Sequence, residues 1–554
     1  MKTWKREPEL RAALDDAIPA IIASQKPNGQ FGTEPWISTD QNVLLALSAA
    51  WSLPYSAHYQ SEEVLRSIER GGLAIRDAQD ERGMVLFRKK DRSTWGQIYM
   101  PWVYSRWVRT FALIREAMSE EARTEWERAL LLGYEGIAQD QLQRVHNIPA
   151  HHAMGLYCAG QVFERKAWCQ QARDFLYQIV DVQAADGWWA EHEGPVVAYN
   201  LVYVDSLGVY YALSGDEKVL EAIERASRYH AACVYPNGSL LETIDGRNPY
   251  HAGVRLGNAG FSHTPAGRGF LAQQHALFLQ GGGRFDADYA ALMLLYGTDG
   301  DIIETSAAQQ QHTHRMSDDA LIKRQAPWYY CLSAFTAPLT PNRFGQDRQN
   351  FFSLYHDAVG LVFGGGNTKL QPLWSSFSVG DTALMYHVPG DEDPDFSARH
   401  GLRHVPDRAE LGDGALYLHY GSVECRIAVR VVDEHEMEIE LSTSGGNGEP
   451  VAAHLTLLAH LGQTLDSDKG TCDALGEEVI DWPDSLWIAH AGWHLSLPPG
   501  TRLYWPVLPH NPYRKDGAAT VEEARIVVVL PFAEDCTQHK LTLRVTHHES
   551  PRSP

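Results

Sequence analysis

The stretch "RVHNIPAHHAMG" at residues 144–155 combines an asparagine with two adjacent histidines at a predicted helix start. Pro149 favours the first helical turn, so we expect Asn147 to precede the helix and His151 and His152 to lie in its first turn. An imidazole can exchange a proton near neutral pH, so either histidine could serve proton transfer or bind an anion. Adjacent residues cannot share one face of a helix, so at most one of them faces a site, and capping or ordinary polar contacts are the alternative for each.

The stretch "DGWWAEHEGPVVAYN" at residues 186–200 places aromatic residues around a second predicted helix start. Gly194-Pro195 predicts a helix whose first position is the proline. Tyr199 and Tyr203 lie four residues apart on this helix and share a face, so either hydroxyl could exchange a proton with a substrate, unless the stripe belongs to the core. The turn residue Trp189 could offer its ring to a sugar face or pack as a wedge between helices.

The segment "ETIDGRNPYHAGVRLGNAGFSHTPAGRG" at residues 242–269 is longer than a connection between helices requires, which favours a binding loop. Arginine can bind a carboxylate through two parallel hydrogen bonds, so Arg247 is the predicted binding residue for an acidic group. Its alternative is an ion pair with Glu242 or Asp245. Tyr250 in the same segment is a further candidate for ligand binding.

Helical periodicity positions the residues of these three segments. From about residue 8 to 325 apolar residues recur at helical spacing, in segments such as "PWVYSRWVRTFALIREAM" and "AWCQQARDFLYQIVDVQ". After about residue 350 the pattern changes to short alternating runs such as "ECRIAVRVVDEHEMEIELS" and "EEARIVVVLPF", which are typical of antiparallel strands. We therefore predict an α+β multidomain chain, with a helical domain over residues 1–335 and an antiparallel β-sandwich over residues 350–554.

A weak internal repeat occurs in the helical half, at residues 27–42, 185–200 and 236–251. Each copy has an Asn-Gly or Asp-Gly turn, then a bulky apolar residue and a glutamate. In the first copy Ser38 and Gln41 have the spacing of a capping box. Repeated helix–turn–helix units predict an incomplete α/α toroid. The helix amino ends behind the turns would carry partial positive charge and favour an acidic sugar at one end of the toroid.

Composition narrows the classes of partner. The 554-residue chain has a formal net charge of −22, which argues against nucleic acid or an anionic membrane as the main partner. No apolar run is long enough for a spanning helix, and the first residues do not resemble a signal peptide, so we expect a cytoplasmic protein. Seven scattered cysteines are typical of reduced thiols. The sequence leaves the oligomeric state open, with a homo-oligomer as one option.

No motif in the sequence indicates a cofactor. His312 and His314 in "QQHTHRM" have a spacing that a strand could use for metal, but nothing nearby completes a ligand set, so a structural metal ion is not indicated. The glycines of "GGGN" at 364–367 open no helix and therefore do not form a dinucleotide-binding loop. A sharp turn at a sheet edge accounts for them better.

The sequence resembles polysaccharide lyases built from an α/α toroid followed by a β-sandwich, especially heparinase II/III-like enzymes and related alginate and chondroitin lyases. The resemblance covers the order of both halves. Its local carriers are "NIPAHHAMGLYCAG", "DGWWAEHEGPVVAYN" and "LYHDAVGLVFGGGNTK" at residues 354–369.

The resemblance implies β-elimination on a uronic acid, with neutralisation of the carboxylate, removal of the α-proton and protonation of the leaving oxygen. Asn147 or His151 would neutralise the carboxylate. Val197 stands where the family's tyrosine is expected, so Tyr199 and Tyr203 compete for the acid/base role. The implied catalytic residues are His152, Tyr199, Tyr203 and His356, the last from the β-domain. With the candidates that the residue types and positions suggest, the predicted substrate-binding residues are Asn147, His151, Trp189, Glu193, Asn200, Arg247 and Tyr250.

Two other classes of function stay open at this point. A glycoside hydrolase on a similar toroid would use two carboxylates among Glu34, Glu191, Glu193, Glu242 and Asp245 as acid and base. A carbohydrate-binding protein would bind a glycan without turnover. For a cytoplasmic lyase, the expected substrate is an imported acidic oligosaccharide rather than a long extracellular polymer.

Overall fold

The computed structural model describes residues 2–6, 8–191, 193–306, 309–384, 394–396, 401–446, 448–514 and 516–546. The chain divides into two compact units. The helical unit consists of Met1–Trp189, Tyr199–Ala231 and Arg255–Thr305, and the sheet unit of Ala190–Ala198, Ala232–Val254 and Ser306–Pro554. The predicted α+β layout is confirmed. The division into domains at 1–335 and 350–554 stays a prediction.

Eleven α-helices lie within the described residues. They are α1 (Pro8–Ala23), α2 (Val43–Ser52), α3 (Glu62–Ala78), α4 (Pro101–Ile114), α5 (Glu120–Asp140), α6 (Asn147–Val162), α7 (Lys166–Asp181), α8 (Val197–Ser214), α9 (Leu220–Ala232), α10 (Pro265–Gln280) and α11 (Ala287–Tyr296). In this part of the chain no helix is both long and apolar enough to cross a membrane.

The helical unit also contains four short strands in two antiparallel pairs. They are β1 (Thr3–Trp4) with β4 (Gly300–Asp301), and β2 (Val85–Arg88) with β3 (Thr94–Ile98). The β2–β3 hairpin falls between α3 and α4, inside the region for which helical periodicity was expected. Its exposed polar positions form no apolar stripe with helical spacing. The periodicity that predicts α3 and α4 therefore gives no indication of the hairpin.

The sheet unit holds two large antiparallel sheets. The first contains β5 (Gln311–Met316), β6 (Ala320–Gln325), β7 (Trp328–Ser333), β8 (Phe352–His356), β9 (Gly360–Phe363), β10 (Phe377–Gly380), β11 (Leu402–Arg403), β16 (Val451–Leu458), β19 (Ile480–Trp482), β22 (Arg502–Val507) and β23 (Arg525–Pro531). The second contains β12 (Arg408–Gly412), β13 (Ala415–Tyr420), β14 (Val423–Val431), β15 (Glu436–Gly445), β17 (Leu465–Ser467), β18 (Gly470–Cys472), β20 (Trp487–His490), β21 (Trp493–Ser496) and β24 (Gln538–Val545).

Both sheets contribute to one hydrophobic core. Leu354 and Leu457 of the first sheet belong to the same buried cluster as Ile427, Leu441 and Leu543 of the second. Side chains alternate between the two faces of a strand, so each sheet turns its apolar face to this core, as in a sandwich.

Strands begin earlier in the chain than expected. Helical spacing was expected to continue to about residue 325, but the last described α-helix ends at Tyr296, and β5 and β6 lie within 311–325. These two strands pair in antiparallel register from Gln311↔Gln325 to Met316↔Ala320. Tertiary pairing therefore outweighs a helical pattern that is weak in so short a run.

The three turns of the internal repeat have the same local structure, and a fourth turn shares it. Four five-residue turns share one hydrogen-bond pattern. The N–H of the first residue donates to the carbonyl of the fifth, and the N–H of a glycine at the fourth position donates to the carbonyl of the first. The turns are Lys26–Gln30, Asp80–Met84, Ala184–Trp188 and Tyr235–Ser239. The glycine of each turn has a φ between 82° and 94°. The copy at Gly83 lacks the Asn-Gly or Asp-Gly signal and was missed by the sequence analysis.

A glutamine four residues before the glycine joins two of these turns to a neighbouring helix. Gln25 Nε2 donates to the carbonyls of Gly29 and Ser67, at 3.2 and 2.8 Å. Gln183 Nε2 donates in the same way to Gly187 and Ala222, both at 2.9 Å. The repeat unit therefore includes a side-chain bridge between consecutive helical hairpins.

Two local predictions about helix starts are wrong. Gln41 is not part of a capping box, because its side chain accepts the Phe31 N–H and donates to the Gly71 carbonyl. Helix α8 begins at Val197 rather than at Pro195, because Pro195 is held in an isolated β-bridge with Ala190.

Buried neutral histidines lower the free energy of unfolding as the pH falls. His230 on α9 is fully buried beside Phe261 and Phe270, with ring centroids 5.2 and 6.1 Å away. Burial lowers its pKa from 6.5 to about 3. A lowered histidine pKa favours the neutral form in the fold, so its contribution is complete above pH 6.5 and is lost as the pH falls toward 3.

We expect His230→Leu to flatten the acid side of the stability curve. Between pH 7 and pH 4 the melting temperature of the variant should fall less than that of the unsubstituted protein. The reason is that the variant lacks the His230 imidazole, which takes up a proton on unfolding in acid. Each unit of pKa difference corresponds to about 1.4 kcal/mol. Melting by circular dichroism at several pH values measures this, with His435→Leu, at a partly exposed position, as the control. An equal pH dependence in both variants would contradict the assignment.

Candidate functional sites in the two units

The first candidate site, in the helical unit, is the start of α6. The helix begins at Asn147, so this residue is its first position rather than the one before it. Asn147, His151 and His152 are all buried. His151 Nε2 lies 3.4 Å from Asp205 Oδ2 on α8, and its ring centroid is 5.9 Å from that of Trp102 on α4. Helices α4, α6 and α8 thus meet at His151.

Two arginines and a second carboxylate surround this pair. Arg106 Nε donates to Asp288 Oδ1 at 2.7 Å, and its Nη2 donates to the other carboxylate oxygen. Burial lowers the pKa of His151 well below its usual value, and the charges of Arg106 and Arg109 lower it further. Burial also raises the pKa of Asp205, against the opposite effect of the two arginines. Burial therefore favours the uncharged form of both His151 and Asp205.

Two polar atoms of the pair lack partners within the described part of the chain. His151 Nδ1 and Asp205 Oδ1 are buried and accept or donate no hydrogen bond there. Buried polar atoms normally bind a protein group, water or a ligand. The start of α6 therefore has unused hydrogen-bonding capacity.

His152 is engaged with the main chain. Its Nε2 donates to the Tyr99 carbonyl at 2.7 Å, and its Nδ1 is buried. Burial lowers the pKa of His152 to about 4, so the ring is neutral at physiological pH. In this structure the ring links α6 to Tyr99, two residues before α4.

The structure separates the two candidate tyrosines of α8. Tyr199 lies in the first turn and is partly exposed. Tyr203 is fully buried, and its ring stacks on Trp189 with centroids 5.0 Å apart and planes 18° apart. A ligand can therefore reach the hydroxyl of Tyr199 more readily than that of Tyr203.

Trp189 and Asn200 have structural contacts. Trp189 Nε1 donates to the Ile179 carbonyl at 2.8 Å, and the ring is only 1% exposed, so it presents no face to a sugar. Asn200 Oδ1 accepts the Trp189 N–H at 2.7 Å, and its Nδ2 donates to the Trp189 carbonyl at 3.0 Å. This paired contact holds the turn before α8 against the helix.

The second candidate site is a cleft in the sheet unit. It has a volume of about 470 Å³, including the part that is open to solvent. Its lining includes Arg247, His251, Gln346, Asn367, His510 and Tyr513. The cleft therefore combines these polar side chains with apolar surface from three prolines, and it carries the arginine that the sequence predicted to bind an acidic group.

Two aromatic rings and one carboxylate surround the Arg247 guanidinium. Its central carbon lies 5.3 Å from the Phe344 ring and 5.7 Å from the Tyr513 ring. Nε donates to the Tyr513 hydroxyl at 3.2 Å, and Nη1 lies 4.0 Å from Glu191 Oε1. The expected ion pair with Glu242 or Asp245 is not formed by this side chain; only the Arg247 main-chain N–H reaches Asp245, at 2.8 Å.

Asp245 organises the loop that carries Arg247. Its Oδ1 accepts the N–H groups of Arg247 and Asn248 at 2.8 and 2.7 Å, and its Oδ2 accepts the Val197 N–H at 2.8 Å. Val197 is the first residue of α8, so Asp245 caps a helix that is distant in sequence. Arg348 adds two bonds to the same region, to the carbonyls of Ile244 and Pro195 at 2.6 and 3.3 Å.

The "GGGN" segment supports this loop and is more than a turn at a sheet edge. Gly365 N–H donates to Glu242 Oε1 at 3.1 Å, and the Gly365 carbonyl accepts the Tyr250 N–H at 3.2 Å. Asn367 Nδ2 donates to the Asp245 carbonyl at 3.0 Å. The glycines therefore let two chain segments approach at main-chain distance.

Tyr250 and His356 have structural contacts as well. Tyr250 is buried, accepts a hydrogen bond from Ser239 Oγ at 3.3 Å, and burial raises the pKa of its hydroxyl. His356 on β8 is buried; its Nδ1 accepts the Ala358 N–H at 3.1 Å and its Nε2 donates to the Glu434 carbonyl at 3.0 Å. Both ring nitrogens of His356 are thus bound to the main chain.

Glu34, Glu193 and Glu242, three of the five carboxylates that a glycoside hydrolase could use, are exposed or already hydrogen-bonded. Glu34 is exposed and ion-paired with Lys26, and Glu193 is exposed. Both oxygens of Glu242 accept hydrogen bonds, from Gly365 N–H and from the Tyr235 hydroxyl at 2.8 Å. Burial raises the pKa of Glu242, but its oxygens are already committed to holding the fold.

Two residues of these sites, Asp205 and Tyr513, are not among those predicted from the sequence. Asp205 lies six residues after Tyr199 and is the one charged residue of α8, and that contrast could have indicated it. Tyr513 contacts Arg247 from 266 residues away, and nothing in its local sequence indicates this. Across the described residues, His, Cys, Asp and Glu form no group of three or more that could hold a metal ion. His312 and His314 lie on β5 with ring centroids 6.2 Å apart.

We expect Gly365→Ala to be strongly destabilising. Gly365 has a φ of +132°, and an added Cβ would lie 2.1 Å from Arg525 Nε, so the substitution combines backbone strain with a clash in a buried contact. Backbone strain alone costs about 1–3 kcal/mol. Gly360→Ala is the control, because Gly360 also has a positive φ, +78°, but an added Cβ meets nothing within 4 Å.

Urea unfolding of the two variants measures the difference. The Gly365 variant should lose more than about 2 kcal/mol beyond the Gly360 variant, since only the former disturbs the Glu242–Arg525 region. Equal losses would show that the packing of the loop does not depend on this approach.

Several solved structures are similar in fold to this chain over both of its halves. A Paenibacillus xanthan lyase aligns with a TM-score of 0.57 at 12% identity, over 98% of this chain and 58% of that one. A Streptomyces coelicolor A3 chondroitin AC lyase aligns with a TM-score of 0.54 at 14% identity, over 98% and 80%. A heparinase III aligns with a TM-score of 0.51 at 13% identity, over 98% and 85%.

The chain thus spans less than two thirds of the xanthan lyase and most of the other two proteins. No protein-family model and no curated protein sequence matches it. At these identities the likeness concerns the fold. The chain has the fold of heparinase-like polysaccharide lyases.

Proposed function

We propose that this protein is a lyase that cleaves a glycan containing uronic acid by β-elimination. In this proposal the helices close into an incomplete α/α toroid that is followed by the β-sandwich. The fold likeness to three polysaccharide lyases supports this assignment. The observation that carries it is the placement of Tyr199, which lies partly exposed in the first turn of α8, whereas Tyr203 and Tyr250 are buried.

The elimination requires three chemical events. The carboxylate at C5 of the uronate must be neutralised, so that the adjacent C5–H becomes acidic. A base then removes the C5 proton, the C4–O4 bond breaks, and a C4=C5 double bond forms. The leaving O4 finally receives a proton, so the products differ from those of hydrolysis by one water molecule.

The start of α6 provides groups for neutralisation. The Asn147 amide can donate to a carboxylate, and His151 has a buried Nδ1 with no partner among the described residues. The first turn of a helix adds N–H groups and partial positive charge, which stabilise an anion. A developing enolate is stabilised most where such donors are held in place before the reaction.

Tyr199 is proposed as the base and the acid. Its deprotonated oxygen would take the C5 proton, and the same hydroxyl would then protonate O4. A tyrosine with an ordinary pKa near 10 needs nearby positive charge or hydrogen-bond donors for this role. His152 and His356 are left out of the proposal because both donate to main-chain carbonyls.

Arg247 is proposed as a carboxylate-binding residue of the sheet unit. Phe344 and Tyr513 hold its guanidinium in place, so less side-chain freedom is lost when an anion binds. The chondroitin AC lyase from Streptomyces coelicolor A3 has been solved in complex with chondroitin sulphate. An acidic oligosaccharide or polysaccharide is accordingly the proposed substrate class here.

We expect Tyr199→Phe to abolish turnover and Tyr203→Phe to retain it. The first change removes the only proposed proton-transfer group, which typically contributes about 10²–10⁴-fold to the rate. The second removes a hydroxyl that is buried beside Trp189. The measurement is the ultraviolet absorbance of the C4=C5 double bond during incubation with hyaluronan, chondroitin sulphate, heparan sulphate, alginate and polygalacturonate.

Circular dichroism spectra of both variants control for folding. Retained activity in Tyr199→Phe with loss in Tyr203→Phe would reverse the assignment of the tyrosine. Absence of an absorbance increase with every uronate polymer would contradict the lyase assignment itself.

A further inference from the structure

The β2–β3 hairpin of the helical unit has no role in the proposed chemistry and differs in character from its surroundings. It pairs Val85 with Ile98 at its base and Arg88 with Thr94 near its tip. Lys89 N–H donates to the Ser93 carbonyl and Arg92 N–H donates to the Lys89 carbonyl, both at 2.9 Å. The tip is therefore a hydrogen-bonded turn.

The tip concentrates positive charge in an acidic chain. Residues 88–92 read Arg-Lys-Lys-Asp-Arg, which gives four positive charges and one negative, a local net of +3 in a chain of net −22. The negative residue, Asp91, accepts hydrogen bonds from Ser93 at the turn. Arg88 and Arg92 are exposed, and the described part of the chain gives neither an ion pair with an acidic side chain.

Lys90 fixes the orientation of the tip. Its Nζ donates to Asp40 Oδ2 at 2.6 Å and to the carbonyls of Thr33 and Pro35 at 2.9 and 3.2 Å. Residues 33–40 follow the first turn of the internal repeat. One of the four positive side chains thus fastens the hairpin, while Arg88 and Arg92 are exposed and Lys89 is partly exposed.

An exposed aromatic ring adjoins these charges. Trp95 is 51% exposed, with the Phe87 ring centroid 5.5 Å away and Lys89 Nζ 5.4 Å from its own centroid. A tryptophan ring is large and amphipathic, so an exposed face offers a broad contact surface for a ligand. An aromatic face that can contact the C–H groups of a sugar, beside a cation that can bind a carboxylate or sulphate, suits an acidic glycan.

The base of the hairpin adjoins the first candidate site. Tyr99 directly follows β3, and its carbonyl accepts the hydrogen bond from His152 at the start of α6. Trp102, three residues further on, lies beside His151. The five residues of β3 span roughly 17 Å, which is longer than one sugar ring, so the tip lies several sugar units away from that helix start.

We propose that the tip of the β2–β3 hairpin is a binding subsite for the anionic groups of a glycan chain, remote from the residue that is cleaved. Arg88, Lys89 and Arg92 bind carboxylate or sulphate groups, and Trp95 contacts a sugar ring. This inference rests on the proposed function in that it assumes an acidic glycan as the ligand. It adds that long chains bind more tightly than short ones.

The test compares two variants that lose the same charge. The hairpin variant carries Arg88→Gln, Lys89→Gln and Arg92→Gln. The control variant carries Arg66→Gln, Arg128→Gln and Lys166→Gln, three exposed positions on or at the start of other helices of the same unit. A third variant, Trp95→Ala, tests the aromatic contact.

Binding is measured without turnover, by affinity electrophoresis through gels that contain chondroitin sulphate, alginate or neutral dextran. The unsubstituted protein should be retarded by at least one acidic polymer and not by dextran. The hairpin variant should lose roughly tenfold in affinity, equal to about 1.4 kcal/mol. The Trp95 variant should also lose affinity, and the control variant should bind as the unsubstituted protein does.

Turnover provides the second readout. On a polymer that is cleaved, the hairpin variant should show a raised KM with kcat little changed. On a tetrasaccharide of the same polymer it should match the unsubstituted protein, because a short chain does not reach the hairpin.

The outcomes separate this inference from the proposed function. Retardation that depends on the hairpin without any elimination product would uphold the subsite and remove the lyase assignment. Elimination activity with unchanged polymer binding in the hairpin variant would overturn the subsite alone. Equal losses in hairpin and control variants, equal retardation by double-stranded DNA, or no retardation by any acidic polymer would each overturn it as well.

Discussion

The carboxylate of Asp245 is the contact on which the start of α8 and the loop around Arg247 depend. It is buried and accepts three main-chain N–H groups, one from the first residue of α8 and two from the loop around Arg247. Burial raises the pKa of Asp245, and these three bonds together with the charge of Arg348 act in the opposite direction. A buried carboxylate is tolerable only when it is hydrogen-bonded in this way. The position at which α8 begins, and with it the place of Tyr199, follows from that requirement.

The residues around Asp245 mostly form hydrogen bonds with main-chain N–H and carbonyl groups rather than ion pairs with charged side chains. Arg348 donates to two carbonyls, Asn367 binds the Asp245 carbonyl, and Gly365 brings the "GGGN" segment within hydrogen-bond distance of Glu242. Glu242 and Asp245 are therefore structural carboxylates. Arg247 is the one arginine or lysine in the described lining of the cleft, and the hydrogen bonds of Glu242 and Asp245 weaken the case for hydrolysis by a carboxylate pair.

The sequence allowed the order of a helical half and a sheet half to be predicted, because helical and alternating periods differ over long segments. It also pointed to Arg247 and to the helix start that precedes Tyr199. It could not separate Tyr199 from Tyr203, since both lie on one face of α8 and only packing against Trp189 shows which is buried. His356 and Trp189 are predicted site residues, but both bind main-chain carbonyls that their local sequence does not indicate, of Glu434 in a distant segment and of Ile179 on the preceding helix. The β2–β3 hairpin was not predicted, because its sequence has no apolar stripe. Its polar side chains are exposed instead, and this exposure suits the hairpin to ligand binding.

The central claim is that glycan cleavage proceeds by elimination and not by hydrolysis. Digestion of a uronate polymer in water enriched in oxygen-18, followed by mass spectrometry of the fragments, tests it most directly. Elimination breaks the C4–O4 bond without adding water, so the account predicts unsaturated fragments that carry no oxygen-18 at the cleaved bond. Saturated fragments that carry one atom of oxygen-18 at the cleaved bond would contradict it.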